Sequence, residues 1–242
     1  MKKTFSYDLH VHSCLSPCAD DDMTPANIAG MAAVQGLDIV ALTDHNSAKN
    51  CPAFFHHAEK FGIIPVAGME LSTAEDIHLV CLFPTLEAAL KFDAVVHESL
   101  IKVKNKPHIF GNQYLMNEED EVAGEVESLL INATSIDVAT ALRMCTEMGG
   151  ACYPAHIDRE ANGMLAVLGD FPEEVPFAAF ELNDKQSYHG LAERLPHLKE
   201  KRYIVSSDAH NLWSVSEAEN TVTLEGDDKV LSLIKYLRGE GA

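Results

Sequence analysis

The stretch Tyr7-Asp8-Leu9-His10-Val11-His12-Ser13 places two histidines two residues apart at the end of an alternating apolar run. Such a run reads as a short strand entering a loop. Residues two apart in an extended chain point the same way, so His10 and His12 can present both imidazoles to one spot. Two converging imidazoles are the start of a transition-metal site. The same residue types recur downstream: His45 in Thr43-Asp-His45, Glu70 in Gly68-Met-Glu70, then His78, His156 after Ala155, and Asp208 and His210 in Ser207-Asp-Ala-His210.

The intervening segments must position these groups. Thr24-Pro25 reads as the cap and first residue of a helix that stops at Gly36. Strands are expected at 37–42, 63–69, 77–83, 151–155, 177–182 and 203–206, with helices at 50–61, 85–102, 136–149 and 227–238. His45, Glu70, His156 and Asp208/His210 fall at the carboxyl tips of strands, and His78 near the start of one. Six of the twelve histidines thus sit at strand ends, which scattered placement would not favour. The other six (His56, His57, His97, His108, His189 and His197) lie on expected helices or loops and read as surface residues. Alternating strands and helices imply an α/β fold with a mostly parallel sheet, and barrel enzymes place their chemistry at the carboxyl ends of such strands. Residues 1–242 are expected to form one domain. Within it, 104–127 is irregular and acidic (Glu118, Glu119, Asp120, Glu121) and reads as an insertion or lid.

The formal charge is 18 − 37 = −19, which argues against extended nucleic acid as a partner. Six cysteines at irregular spacing, in a chain too long to need a disulfide framework, indicate reduced thiols. Met1-Lys2-Lys3 leads into a polar-interrupted strand rather than an apolar leader, and no run is long enough to span a membrane, so the expected location is cytoplasmic.

Asp8-Leu-His-Val-His-Ser13, Thr43-Asp-His45, Gly68-Met-Glu70 and Ser207-Asp-Ala-His210 resemble the motifs of the polymerase-and-histidinol-phosphatase (PHP) family. Ala155-His156 stands where that family has His-Pro. The resemblance implies a distorted seven-stranded (β/α) barrel with two or three divalent ions (zinc, manganese or iron) at the carboxyl end of the strands. By similarity, His10, His12, Glu70 and Asp208 hold a first metal. Glu70 bridges to a second, bound also by His78 and His156, and His45 and His210 take a third. A carboxylate suits the bridge because each of its oxygens can take one cation. The family's further ligand to the third ion comes from the loop after the first strand, where Cys18 or Asp20 could serve. Cys18 would favour zinc, whereas Asp20 would also suit manganese or iron. Ile157 replaces the proline after His156.

Clustered divalent ions neutralise a phosphate ester and make hydroxide available near neutral pH. The expected activity is therefore a metal-dependent phosphoesterase with Glu70, Asp208 and Arg159 in catalytic roles. Arg159, three residues past His156, is placed by sequence to grip a phosphate, and Asn46 to hydrogen-bond substrate. With the acidic composition, the expected substrate is a small phosphorylated molecule: a nucleotide, sugar phosphate or histidinol phosphate, cut as a monoester or short diester. An amidohydrolase-type C–N hydrolase and a non-catalytic metal-binding regulatory module are the competing readings.

Overall fold

In the computed structural model, which describes residues 1–240, β1 (Lys3–Val11) is followed by α1 (Pro25–Gln35), β2 (Ile39–Leu42), α2 (Cys51–Phe61), β3 (Ile64–Ser72) and β4 (His78–Phe83). Then come α3 (Leu86–Ser99), α4 (Pro107–Phe110), β5 (Tyr114–Met116), β6 (Val122–Glu125), α5 (Val138–Glu147) and β7 (Ala151–Pro154). The chain ends with α6 (Met164–Leu168), β8 (Ala179–Leu182), α7 (Ser187–Arg194), β9 (Arg202–Val205), β10 (Thr221–Leu224) and α8 (Lys229–Leu237). The helix starts follow from local chemistry. The Thr24 hydroxyl accepts from the Asn27 amide with Pro25 at the first turn, and Gly36 closes α1 at φ 76°.

Six strands form one sheet in the order β10-β1-β2-β3-β4-β7, and β8-β9 form a separate parallel pair. Period-2 alternation divides the core. Val40, Leu42, Met69 and Phe83 face Ile28, Phe54 and Phe92 of the covering helices. Leu9, Ile39, Ala41, Val66 and Tyr153 face the other way, against Leu233, Ile234 and Leu237 of α8.

The α/β class is as expected; the sheet is less parallel. Only β1-β2-β3 and β8-β9 pair in parallel, while β10-β1, β3-β4 and β4-β7 are antiparallel. For β3-β4 the cause is connection length: a parallel crossover needs a dozen residues or more, and only Thr73–Ile77 separate the two strands. The distorted seven-stranded barrel that the resemblance implies takes the form of a curled half-barrel sheet among the described residues. Its ladder breaks between β7 and β8, and the loop after β9 meets the end of β1 through the isolated bridge Val11–Ala209. His57, read as a surface residue, is buried on α2.

The 104–127 region is an ordered β5-β6 hairpin seated on the loop after β1. Tyr114 N–H donates to Cys14 O (2.9 Å), and Asp120 accepts from the Thr24 hydroxyl (2.8 Å) and the Ala26 amide (3.3 Å). Asn50 joins the two layers, donating to Ser13 Oγ and Tyr114 O (both 3.0 Å) and accepting from Met116 N–H (2.9 Å). Just before the hairpin, Gly111 has φ 100°, and a Cβ there would lie 2.0 Å from Pro17 O. Gly111→Ala therefore strains the backbone and pushes the hairpin off the loop. The expected loss is ~2 kcal/mol or more, a fall of roughly 4–8 °C in thermal midpoint. Gly124→Ala, where the nearest atom is Leu115 Cδ1 at 3.8 Å, should leave the midpoint within ~2 °C in the same melt.

Candidate metal centre

Glu70, near the end of β3 and 1% exposed, is surrounded by five imidazoles. Its Oε1 lies 2.8 Å from His78 Nδ1, 3.0 Å from His156 Nε2 and 3.4 Å from His10 Nε2. Its Oε2 lies 3.0 Å from His45 Nδ1 and 3.3 Å from His12 Nε2. Asp208 Oδ1 is 3.3 Å from His10 Nε2 and 3.1 Å from His12 Nε2, and the His210 ring stacks on His12 with centroids 4.3 Å apart.

Pairing of the strands brings these groups together. A register irregularity between Asp8 and Val11 re-aims the end of β1, a common device beside functional sites. An isolated bridge joins His45 to Glu70. Antiparallel pairing sets His78 opposite Ser72, and Ala155 N–H donates to His78 O (3.0 Å), which delivers His156 to the same end. The Val11–Ala209 bridge brings in Asp208 and His210. Asn46, His156 and Asp208 have φ of 47°, 27° and 50°. Left-handed geometry at three non-glycine residues beyond strand ends is strain of the kind that sites hold when the surroundings over-determine it.

Outer partners fix the tautomers. His10 Nδ1–H donates to Glu181 Oε1 (2.9 Å). His12 Nδ1–H donates to Ser16 Oγ (3.0 Å), whose hydroxyl donates to Asp44 Oδ1 (2.7 Å). Asp44 in turn accepts from the amide and hydroxyl of Ser13 (2.7 and 2.6 Å). Both rings thereby turn Nε2 toward the centre, the arrangement of metal-bound histidines.

The electrostatics follow from burial. Burial favours the neutral acid of Glu70, but His78, His10 and His45 outweigh it and hold the carboxyl well below its usual range. Asp208 is likewise lowered against burial by His10 and His12. Burial pulls His10 and His12 down, yet Glu181, Asp208 and Glu70 lift His10 well above the ordinary imidazole value, and Asp208 and Glu70 lift His12 to about 9. Burial and neighbouring imidazoles depress His45, and burial and His12 lower His210 to about 4, so both stay neutral, the state of a ligand.

The donor set fits divalent cations. The atoms of His10, His12, Glu70 and Asp208 lie within 4.8 Å of one another, as do those of His45, Glu70 and His78, and those of His12, His45 and His210. Donors ~2.1 Å from one ion in a tetrahedron stand ~3.4 Å apart, close to the contacts around His10 and His12. His10 Nε2 and His12 Nε2 face each other at 3.1 Å, and buried Asp208 Oδ1 makes no hydrogen bond. Two nitrogens and a carboxylate oxygen converging on one point are the arrangement that a shared cation would take up.

Cys18 and Asp20 are exposed and join none of these donor groups, although the Asp20 amide donates to His210 O (2.8 Å). Arg159 pairs with Asp208 Oδ2 and, with His45, His78, His156 and Asn162, lines a cleft of about 110 Å³ over Glu70. Asn46 does not fit the substrate-binding role expected of it. Its amide nitrogen donates to Leu130 O (2.6 Å) and Asn132 O (2.9 Å), and its oxygen accepts from Ser72 N–H (2.9 Å), so both ends of the buried side chain are committed to backbone. Glu181 and Ser16 are the residues that sequence reasoning passed over. The available signal was a carboxylate inside the apolar strand Ala179–Leu182, a position that burial makes costly without a partner. A larger hollow of about 420 Å³ between α5 and the chain end, lined by Leu142, Arg143 and Leu237, contains none of these groups.

Comparison with known proteins agrees with the geometry. The family described as PHP domain matches residues 8–170. A 5'-3' exoribonuclease of Haemophilus influenzae is 31% identical over 103 residues, covering 39% of this chain and 36% of its own. Among solved structures, the lesion-specific endonuclease PfuEndoQ from Pyrococcus furiosus superposes with TM-score 0.65 at 19% identity, over 99% of this chain and 57% of that one. Endonuclease Q in complex with a 27-mer duplex substrate, an abasic lesion at its active site, gives TM-score 0.61 at 18% identity, over 99% and 58% of the two chains. The chain thus spans about a third of that curated relative and rather more than half of the endonuclease. The expectation of a small phosphorylated partner, with extended nucleic acid unlikely, is overturned: the same fold holds a DNA duplex at an active site. Net charge misled because it sums the whole surface, whereas a phosphate meets the local field of the cations at a site. Among the described residues, no helix is long and apolar enough to cross a membrane.

Glu181→Gln keeps an acceptor for His10 Nδ1–H but removes its charge. Its affinity for zinc or manganese, measured by competition with a chromogenic chelator, should fall roughly 10–100-fold while the far-ultraviolet circular dichroism is unchanged.

Proposed function

The chain belongs to the PHP domain family, and from that premise we propose that this metal-dependent hydrolase cleaves phosphodiester bonds of nucleic acid. The observation that carries the proposal is the convergence of five imidazoles on Glu70, with Asp208 and Arg159 at the same cleft. His10, His12, Glu70 and Asp208 are the residues that would hold one ion. His78 and His156, both against Glu70 Oε1, would hold a second, and His45 and His210 with His12 would form the remaining set. Bound there, divalent ions supply Lewis acidity toward the phosphate and lower the pKa of water.

The chain's own residues provide the rest. Arg159, exposed at the rim with its guanidinium on Asp208, can exchange that contact for a non-bridging phosphate oxygen, in the planar geometry that guanidinium and phosphate share. Asp208 stays ionised because His10 and His12 oppose its burial. Cys14 is buried, and burial and then the nearby Asp44 push its thiol up to about 12, away from the thiolate form that a nucleophile needs. Exonuclease and endonuclease names among the similar proteins support nucleic acid as the substrate class.

The test is hydrolysis of end-labelled single-stranded DNA and RNA, and of bis(p-nitrophenyl) phosphate as a generic diester, by protein loaded with manganese or zinc. Wild type should cleave all three with added metal and lose activity under chelation. Glu70→Gln and Asp208→Asn should each lower turnover roughly a hundredfold or more. His57→Ala, a buried change on α2 away from the donor set, should retain turnover within about twofold. Full activity in Glu70→Gln, or metal-bound wild type inert toward every diester, would sink the proposal.

A further inference from the structure

Asp208 and His210 belong to a short loop whose two ends are held by one buried residue. Asp8, fully buried on β1, accepts from Ser207 N–H through Oδ1 (3.0 Å) and from Ser216 N–H through Oδ2 (3.1 Å). Inside that span, His12 N–H donates to Ala209 O (3.0 Å) and Asp20 N–H to His210 O (2.8 Å). Asn211 Oδ1 accepts from the amide (3.1 Å) and hydroxyl (2.9 Å) of Ser214, closing a 3-10 turn over Leu212–Ser214. Val215 is buried beyond it.

Trp213, the single tryptophan of the chain, stands on this turn 89% exposed. A lone exposed apolar side chain is ordinary on a protein surface. This one differs in its mounting. The backbone that carries it is pinned at both ends and in the middle, so the indole is held out by a rigid loop. It is three residues from His210, at most ~11 Å along the chain. That span suits one or two nucleotides: a phosphate at the cleft leaves a flanking base within reach of the indole. Stacking on an aromatic face is how proteins hold unpaired bases without reading sequence, because every base has a π-face.

We propose that Trp213 is a stacking platform for the base of a nucleotide flanking the scissile phosphate. The inference rests on the nucleic-acid phosphodiesterase reading and names a residue that positions the substrate. An unpaired base is required, so single-stranded or locally opened substrates are preferred over intact duplex.

Trp213 reports on itself, because the indole emission of the chain comes from this residue alone. Metal-loaded protein is titrated with a short single-stranded oligonucleotide bearing slowly cleaved phosphorothioate linkages, and separately with an abasic oligomer of the same length and charge. Quenching by the base-bearing strand and little by the abasic one is the expected result. In steady-state assays, Trp213→Ala should raise KM for single-stranded oligonucleotide roughly five- to a hundredfold, with hydrolysis of bis(p-nitrophenyl) phosphate unchanged and Trp213→Phe partly restoring KM. Oligonucleotide cleavage with unaltered emission and unaltered KM in Trp213→Ala would overturn the platform and leave the phosphodiesterase reading intact. Base-dependent quenching without cleavage would overturn the phosphodiesterase reading and, with it, the assignment of the stacked base to a scissile phosphate. A protein that dissociates on dilution only when Trp213 is present would show that the indole covers a second copy, which also overturns the platform.

Discussion

Two carboxylates, buried Glu70 and largely enclosed Asp208, impose the requirement that organises this molecule. An isolated carboxylate without compensation in such surroundings costs on the order of several kcal/mol. Six imidazoles and one guanidinium converge to meet that demand, yet neutral imidazoles supply no charge. Positive charge must come from protons or from cations. The carboxylates favour the protonated forms of His10 and His12 against the cost of their own burial. Divalent ions satisfy the same requirement better, with ligand atoms already spaced for them, and uptake releases the protons. Electrostatic compensation and the spacing that fits cations are thus one property of the centre.

Precision at that centre is built outward in layers. Strand pairing sets coarse positions, and left-handed backbone at His156 and Asp208 makes the final adjustment. Glu181 and the Ser16–Asp44 pair then fix which nitrogen of His10 and His12 faces inward. Each adjustment costs something locally, and the two-sided core of α1, α2 and α3 on one face and α8 on the other supplies the rigidity that tolerates it. Asp8, one residue in the motif that opens the chain, acts at a distance by fixing the loop of Asp208 and His210.

What the sequence made legible was the part with a period and a terminus. Metal-ligand residue types near strand ends singled out His10, His12, His45, Glu70, His78, His156, Asp208 and His210 as candidates, and the structure brings all eight to one end of the sheet. Less legible were features fixed by tertiary neighbours. Asn46 beside His45 has the composition of a substrate contact, but its partners Leu130 and Asn132 lie far along the chain. Glu181 is a single carboxylate in a four-residue strand, and only its contact with His10 gives it meaning. The antiparallel turn after Ser72 could have been inferred from the short span to His78; strand alternation alone suggested parallel pairing. Whole-chain charge argued against nucleic acid, and the endonuclease comparison overturns that argument because a sum carries no position.

The β5-β6 hairpin gives the centre a remote dependence. Tyr114 and Met116 bond Asn50, Asn50 bonds Ser13, Ser13 bonds Asp44, and through Ser16 the chain of contacts ends on the His12 ring. No member of the hairpin touches a candidate metal donor. Even so, lesions there would emerge from an unbiased screen for inactive variants alongside true active-site lesions, as folded protein purified with little metal. A map of such hits painted on the surface would show two separate patches, and the buried relay between them is what makes them a single functional unit.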